Sequence, residues 1–567
     1  MAAESAEFDL VAIGGGPGGY AAALYGALAG LRIAVVERDK VGGTCLHRGC
    51  IPAKAFLETA TVVRTVAGAD DFGVTAGQPS IDFAVSQARK QKVVEQLYKG
   101  LAGLMRRRGI TTYRGTGTLL PGRRVQVEGP DGQLQLSGRH VMLAPGSVAR
   151  SLPGFDVDGS RVLTSDEVLA LDALPASAAI IGGGVIGCEF ASMFSDLGVQ
   201  VTVLEAMDTI LPECDREIVA WLARSFRKRG IAVHTGVRVK GHRPNGSMTT
   251  VYFDNETVTV DAVVVAVGRR PLTEGVLADG TGVTVDSRGF VVVDDHMRTT
   301  ADGVWAVGDV VDTPQLAHVG FAEGILTVRG ILGESTIPVD YSRVPWCIYC
   351  HPEVAYAGLT EAAARQRGFD VAVQKYPLGG NSRARIIGDF EGLVKVVAER
   401  QADGRPGPIL GVHLVGPWVT EVLGQGYLAV NAESVPDRIA RFIQPHPTLS
   451  ESFGETVLAL TGRGLHLGGS SRRREHGHGR RGLSGRPPLP QRARLDARRR
   501  RHSDLRHHLV RAGQPAGDRV LRGAERWRQG DEGSALRPNR IRQVGLRPVC
   551  PDVRRDRRGQ RRASRLS

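Results

Sequence analysis

Cys45 and Cys50 lie five positions apart in the run Gly42-Gly43-Thr44-Cys45-Leu46-His47-Arg48-Gly49-Cys50-Ile51-Pro52-Ala53-Lys54. Gly49 frees the backbone just before the second sulfur, and Pro52 fixes it just after. Two thiols at that spacing can pass between dithiol and disulfide. An attacking thiolate opens such a bond through a mixed disulfide, so the pair can take two electrons from a thiol and be restored later. The C-x4-C spacing by itself fits a structural or accidental pair equally well. Far along the chain, His446-Pro447-Thr448-Leu449-Ser450-Glu451 places a histidine five residues before a carboxylate. The pattern predicts a helix with Pro447 in its first turn, His446 at its mouth and Glu451 reaching back to the ring. An imidazole suits proton transfer near neutrality, and an orienting carboxylate fixes its tautomer and raises its basicity. A histidine that only caps a helix satisfies the same letters.

Two glycine-rich turns must position this chemistry. The apolar run 8–13 leads into Gly14-Gly15-Gly16-Pro17-Gly18-Gly19, then a helical stretch, then a strand ending in Glu37. Gly14, Gly16 and Gly19 are spaced to make the tight turn, admit a pyrophosphate to the backbone and let helix pack on strand, with the helix N-terminus favouring the anion. Glu37 can accept from ribose hydroxyls. The pattern recurs as Gly182, Gly184 and Gly187, followed by a strand ending in Glu205. Both first-glycine-to-acid separations span 23 positions, so two dinucleotide sites are expected. A carboxylate at Glu205 bonds the 2′-hydroxyl of NAD and repels the 2′-phosphate of NADP, and no arginine follows to reverse that preference.

A chain of 567 residues exceeds what one core supports, so several domains are expected. Its net charge of +14 is uneven: residues 471–567 hold 29 Arg, no Lys and 9 acidic residues, which leaves 44 basic against 50 acidic elsewhere. The body is therefore slightly acidic, which argues against a nucleic-acid-binding role for it. The tail has no apolar periodicity and reads as disordered. Its arginine without lysine looks more like GC-rich DNA translated out of frame than like a basic binding arm. Seven cysteines are too few for a disulfide scaffold. No secretory pattern opens the chain and no apolar run approaches the roughly 20 residues that cross a bilayer, so a cytoplasmic protein is expected. Cys347 and Cys350 form a C-x-x-C with no second ligand pair nearby, so no metal is expected.

With the fingerprint just before it, the run from Gly42 to Lys54 resembles the active-site disulfide of the flavin-dependent disulfide oxidoreductases. Leu46, His47, Arg48, Ile51, Pro52 and Lys54 look most like the dihydrolipoamide dehydrogenase branch. Lys54 is expected to begin a helix. The resemblance implies FAD at the first fingerprint and NAD at the second, with that lysine beside the flavin ring and paired to Glu189. It implies further flavin contacts at Gly146, within Ala144-Pro145-Gly146-Ser147 where the family usually has threonine for Pro145, and at Gly308 and Asp309. Gly268 would mark the return from the second dinucleotide domain to the first. His446 and Glu451 resemble the family's catalytic dyad, which reaches the disulfide of the other subunit; Gln444 stands where many members have another histidine. The implied chemistry is oxidation of protein-bound dihydrolipoamide to lipoamide, with Cys45 as the interchange sulfur, Cys50 against the flavin and hydride transfer to NAD. The implied partners are a second copy of the chain and the lipoyl domain of a 2-oxo acid dehydrogenase acyltransferase, with no membrane. Mercuric and glutathione reductases are the alternatives within the family; a non-catalytic subunit or a basic-tailed nucleic-acid binder is the alternative outside it.

The expected fold is α/β. Residues 1–150 would form an FAD-binding Rossmann-like domain, 151–272 an NAD-binding one, 273–340 a return to the first, 341–466 an α+β dimerisation domain, and 467–567 the disordered basic tail.

Overall fold

A computed structural model describes residues 7–467 of the chain. The expectations of a disordered or out-of-frame tail fall on residues beyond 467, outside the described residues.

The first sheet is built on the strand Glu7–Ile13, which pairs in parallel with Ile33–Glu37 on one side and Gly132–Leu143 on the other. Thr111–Arg114 and Val304–Ala306 extend the parallel set, and an antiparallel pair, Thr116–Leu120 and Arg124–Gly129, completes one edge. Helix α1, Pro17–Leu28, follows the first glycine turn. Helices α2, Gly43–Arg48, and α3, Cys50–Ala67, carry the cysteines, and α4, Phe83–Arg107, packs back on α3.

The second sheet is wholly parallel, in the order Ala232–Thr235, Gln200–Glu205, Ser177–Ile181, Ala262–Val265 and Val162–Leu163. Ser177–Ile181 and Ala262–Val265 are buried at every position, as continuous apolar runs covered on both faces should be. The chain then returns to the first sheet through the antiparallel pairing of Arg269–Pro271 with Ser147–Ala149. A five-stranded antiparallel sheet follows, in the order Trp346–Ile348, Glu353–Gly358, Pro406–Gly416, Leu393–Arg400 and Val371–Pro377. The helices Val419–Asn431 and Glu451–Leu460 pack on it over a core that includes Val394, Val396, Leu414, Leu423 and Phe453. The expected α/β class, two dinucleotide-type sheets, the first mixed and the second wholly parallel, and a third α+β unit, is what the chain adopts. No helix among the described residues is long and apolar enough to cross a membrane.

Two local expectations need correction. Lys54 does not open its helix; α3 begins at Cys50, four residues earlier, because Pro52 fits the first turn, where no donor is required. Pro447 is not in the first turn of the last helix, which begins at Glu451 after Ser450. It lies in the preceding turn, joined to His446 by a cis bond.

Candidate active site

Cys45 sits inside α2 and Cys50 is the first residue of α3, with Gly49 between the two helices. A Cβ at Gly49 would come to 3.0 Å from the Thr44 carbonyl oxygen, so the sharp junction leaves little room for a side chain. Both cysteines are free thiols, half-buried, and a hydrogen bond between them splits their acidities. That bond, with burial, drives Cys45 well above the ordinary thiol range. Cys50 accepts it and, against the effect of burial, is pulled down to about 7, with the Lys54 cation helping. The N-terminus of an 18-residue helix is also where a thiolate is favoured. Tyr20, on α1, faces the pair; burial and the two sulfurs push its hydroxyl up to about 12.

Lys54 lies one turn along α3 from Cys50. Its Nζ donates to both carboxylate oxygens of Glu189, at 2.8 and 2.9 Å. Glu189 is on the helix Val185–Asp196, which packs against α3, and the same two helices are joined again by Arg64 and Asp196. Burial alone would lower the Lys54 ammonium; the Glu189 charge overrides it and raises it. A third element closes this pair: Tyr349, just past the strand Trp346–Ile348, donates its backbone N–H to Glu189 Oε1 at 3.0 Å and lies with its ring 4.9 Å from Lys54 Nζ. Lys54 and Glu189 were foreseen together; Tyr20 and Tyr349 carried no signal in the local sequence.

The two glycine turns are built alike. A Cβ at Gly19 would come to 1.9 Å from Gly14 O, and one at Gly187 to 1.9 Å from Gly182 O. Gly14 and Gly182 have φ of +107° and +109°, backbone that side chains rarely adopt. A Cβ at Gly184, by contrast, would meet no protein atom, and one at Gly16 only Gly43 at 3.9 Å. The protein's own packing does not require glycine at those two positions, which suits a face kept bare for a phosphate. Each turn is clamped by the acid at the end of its second strand. Glu37 accepts from the amides of Gly15 and Asp39 at 2.8 and 2.9 Å, and Glu205 from those of Gly183 and Met207 at 2.5 and 2.6 Å. Each carboxylate oxygen keeps a lone pair for a ribose hydroxyl. These features fit a dinucleotide at each turn.

Gly146 and Gly268 have φ of +80° and +103° and flank the strands that carry the chain between the two sheets. Asp309 accepts from Ser147 Oγ at 2.5 Å, and Ser147 in turn accepts from Arg269 Nε at 2.7 Å. The buried Glu323 accepts from the Gly308 amide at 2.6 Å and the Tyr341 hydroxyl at 2.9 Å, fixing the turn that presents Asp309. Ser147, Arg269 and Glu323 were not foreseen as supports, because their partners lie too far away in sequence or in unpatterned turns.

His446 Nδ1 is 2.8 Å from Glu451 Oε1, and Glu451 Oε2 accepts from the Thr448 amide at 2.8 Å. The carboxylate is fixed at both ends, and the imidazole side chain is 68 % exposed. Among the described residues, no hydrogen bond or ion pair joins this dyad to the cysteine pair of the same chain. Cys347 and Cys350 turn to different carbonyls, those of Thr420 and Pro352, and no group of three or more potential metal ligands occurs among the described residues.

The pyridine nucleotide-disulphide oxidoreductase family model matches residues 8–324, and the dimerisation domain of the same family matches 344–457. A dihydrolipoyl dehydrogenase from Bacillus subtilis is 42 % identical over 477 residues, covering 81 % of this chain and 99 % of its own. The mitochondrial dihydrolipoyl dehydrogenase of Pisum sativum is 34 % identical, covering 82 % of this chain and 94 % of its own. Among solved structures, LpdA from Mycobacterium tuberculosis superposes with a TM-score of 0.75 at 26 % identity, over 80 % of this chain and 99 % of that one. The HOCl-induced flavoprotein disulfide reductase RclA from Escherichia coli gives 0.71 at 29 % identity, over 79 % and 99 %. Two cysteines at a helix junction, two clamped glycine turns and these matches across the body agree: the chain belongs to the pyridine nucleotide-disulphide oxidoreductase family.

Proposed function

We propose that the chain is a dihydrolipoyl dehydrogenase, oxidising protein-bound dihydrolipoamide to lipoamide with FAD and NAD as cofactors. The observation that carries this reading is the placement of Cys50 at the start of α3, one turn from the Lys54–Glu189 pair, with Cys45 on the adjoining helix. A thiolate attacks the sulfur whose departure releases the more acidic partner. Attack on Cys45 releases Cys50, whose thiolate is favoured by the Lys54 cation and by the N-terminus of α3.

The steps assigned to the chain's own groups follow from this asymmetry. His446, oriented through Nδ1 by Glu451, takes a proton from one substrate thiol on its other ring nitrogen. The substrate thiolate attacks Cys45 Sγ, the Cys45–Cys50 bond breaks, and Cys50 leaves as a thiolate facing Lys54. The second substrate thiol attacks the substrate sulfur bonded to Cys45 and its proton passes to the departing Cys45 sulfur, which closes the substrate disulfide and leaves Cys45 a thiol, Cys50 a thiolate and the first proton on His446. That reduced pair is the state described above, and it holds the substrate's electron pair. FAD supplies a two-electron acceptor beside the pair, and NAD a final hydride acceptor. Gly14, Gly16, Gly19, Glu37, Gly146 and Asp309 are assigned to holding the first; Gly182, Gly184, Gly187, Glu205 and Gly268 to the second, with Lys54 and Glu189 between them.

Among the described residues no hydrogen bond or ion pair links His446 to the cysteine pair of its own chain, while the family's dimerisation domain is present. We therefore assign His446 to the disulfide of the second copy in a two-fold dimer, where each site is completed by the other chain. The lipoyl domain of an acyltransferase is assigned as the substrate carrier and the cytoplasm as the compartment. Mercuric and glutathione reductase chemistry is disfavoured by Glu205, which stands where NADP needs a cation, and by the single cysteine, Cys550, near the C-terminus.

Anaerobic addition of dihydrolipoamide to the purified protein is expected to produce a long-wavelength thiolate-to-flavin band, and NAD then to produce NADH. A bound flavin indifferent to dihydrolipoamide would overturn the reading. Gly19→Ala is expected to give protein with little or no flavin absorbance, because the new Cβ meets the Gly14 carbonyl oxygen, which is backbone and cannot swing aside. Flavin content matching wild type would remove that turn from the cofactor site.

A further inference from the structure

We propose that Tyr349 is a positioning residue for the redox pair: its ring holds the Lys54 ammonium toward Cys50 while its backbone N–H holds Glu189. Nothing in the assigned chemistry uses Tyr349, and it comes from the dimerisation domain rather than from either dinucleotide domain. Yet its segment is fastened to the helix that carries Glu189 at two points. Tyr349 N donates to Glu189 Oε1 at 3.0 Å, and His351 N donates to Ser192 Oγ at 2.8 Å. Arg229, bonded to the His351 carbonyl at 2.6 Å and to Ser192, backs the contact.

The two halves of Tyr349 act on opposite charges. The backbone donor reaches the carboxylate and survives any side-chain change. The ring lies 4.9 Å from Lys54 Nζ, within the range where the negative face of an aromatic attracts an ammonium. Lys54 needs such a guide because its side chain is 32 % exposed, whereas Glu189 is 7 % exposed and fixed. The groups facing Cys50 are Cys45 from α2, Tyr20 from α1, Lys54 from α3 and Glu189 from the second dinucleotide domain. On the dimerisation-domain side, Cys347, Glu353 and Glu421 face Tyr349. Lys54 favours the Cys50 thiolate and Glu189 opposes it. Removing the ring leaves Lys54 held by Glu189 alone, which draws the cation to the carboxylate and away from Cys50, so the thiolate should become harder to form. This inference rests on the proposed function only in taking Cys50 as the thiolate that meets the flavin.

The test compares wild type, Tyr349→Phe and Tyr349→Leu holoenzymes, each reduced anaerobically by two electrons and titrated with pH while the thiolate-to-flavin band is recorded. Tyr349→Leu is expected to raise the midpoint by about one pH unit, the tenfold change that loss of a partly desolvated cation–π contact implies. Tyr349→Phe keeps the ring face and is expected to stay at the wild-type midpoint. If the leucine variant does not retain flavin, Tyr349→Met fills the volume without a ring and takes its place. Lys54→Met should raise the midpoint at least as far, and adding Tyr349→Leu to it should change nothing more. An unshifted leucine or methionine variant, or a phenylalanine variant shifted equally, overturns the role of the ring. If wild type itself shows no band, the flavin reading fails instead. The same variants are then compared by the pH dependence of Cys50 alkylation, read by mass spectrometry, with the same expected order.

Discussion

Replacing His446 by glutamine is expected to lower the oxidation of dihydrolipoamide by about 10²- to 10⁴-fold, the range that a positioned general base contributes. Glutamine fills a similar space but cannot carry the proton. The Glu451 carboxylate, held at 2.8 Å from His446 Nδ1, leaves the other ring nitrogen of an exposed imidazole for the substrate proton. Oxidation of NADH by an artificial acceptor needs no proton from a thiol, so it should be unchanged in the same variant. That split separates a lost base from a damaged fold. Glu451→Gln should have a smaller effect in the same direction, because the amide keeps an acceptor for the ring but not the charge that stabilises the imidazolium. If His446→Gln turned over dihydrolipoamide within tenfold of wild type, the base would lie elsewhere.

How much of this was visible in the letters depended on distance along the chain. The glycine turns and their acids were legible because their geometry is local: Gly14 and Glu37, like Gly182 and Glu205, belong to one strand-turn-helix-strand unit with a set spacing. The dyad was legible for the same reason, since five residues separate its members, although the helix starts later than its proline suggested. Lys54 and Glu189 are 135 positions apart, and no periodicity links them; only the resemblance of their surroundings paired them. Helix α2 escaped because a six-residue element that begins on a glycine with φ of +58° shows no apolar repeat. Tyr349 escaped more completely. In sequence it is one more aromatic beside a strand, and its importance arises only when a third domain folds against the helix carrying Glu189.

Lys395 is the strongest case of a residue whose sequence context misleads, and its removal should have the largest effect on stability. A lysine in a strand is normally a solvent-facing residue, yet its side chain is 3 % exposed within Leu393–Arg400. Its Nζ lies 2.9 Å from Asp215 and 3.0 Å from Glu361, with Glu217 at 3.4 Å. Asp215 caps the helix Arg216–Lys228 of the second dinucleotide domain, so this lysine ties that domain to the dimerisation sheet. Burial would push Asp215 up and Lys395 down; their mutual contact wins, lowering the acid and raising the base. Glu361 is likewise lowered: burial raises it, but its contacts with Lys395 and Arg365 together outweigh that. Lys395→Met is expected to cost about 3–5 kcal/mol near neutral pH, because it strands buried carboxylate charge. The pH dependence follows from the directions. The lowered acids contribute stability above their unfolded values near 4, and lose it as pH falls through their folded values. The raised lysine contributes below its unfolded value of about 10.4, and that part is lost only at more alkaline pH. The penalty of the variant should therefore be full between those limits and shrink as acid neutralises Asp215 and Glu361. Urea midpoints at neutral and acid pH, with the slope unchanged, measure this. A penalty below about 1 kcal/mol at neutral pH, in the range of exposed ion pairs, would mean that water reaches the cluster and that the two domains are held by their apolar contacts alone.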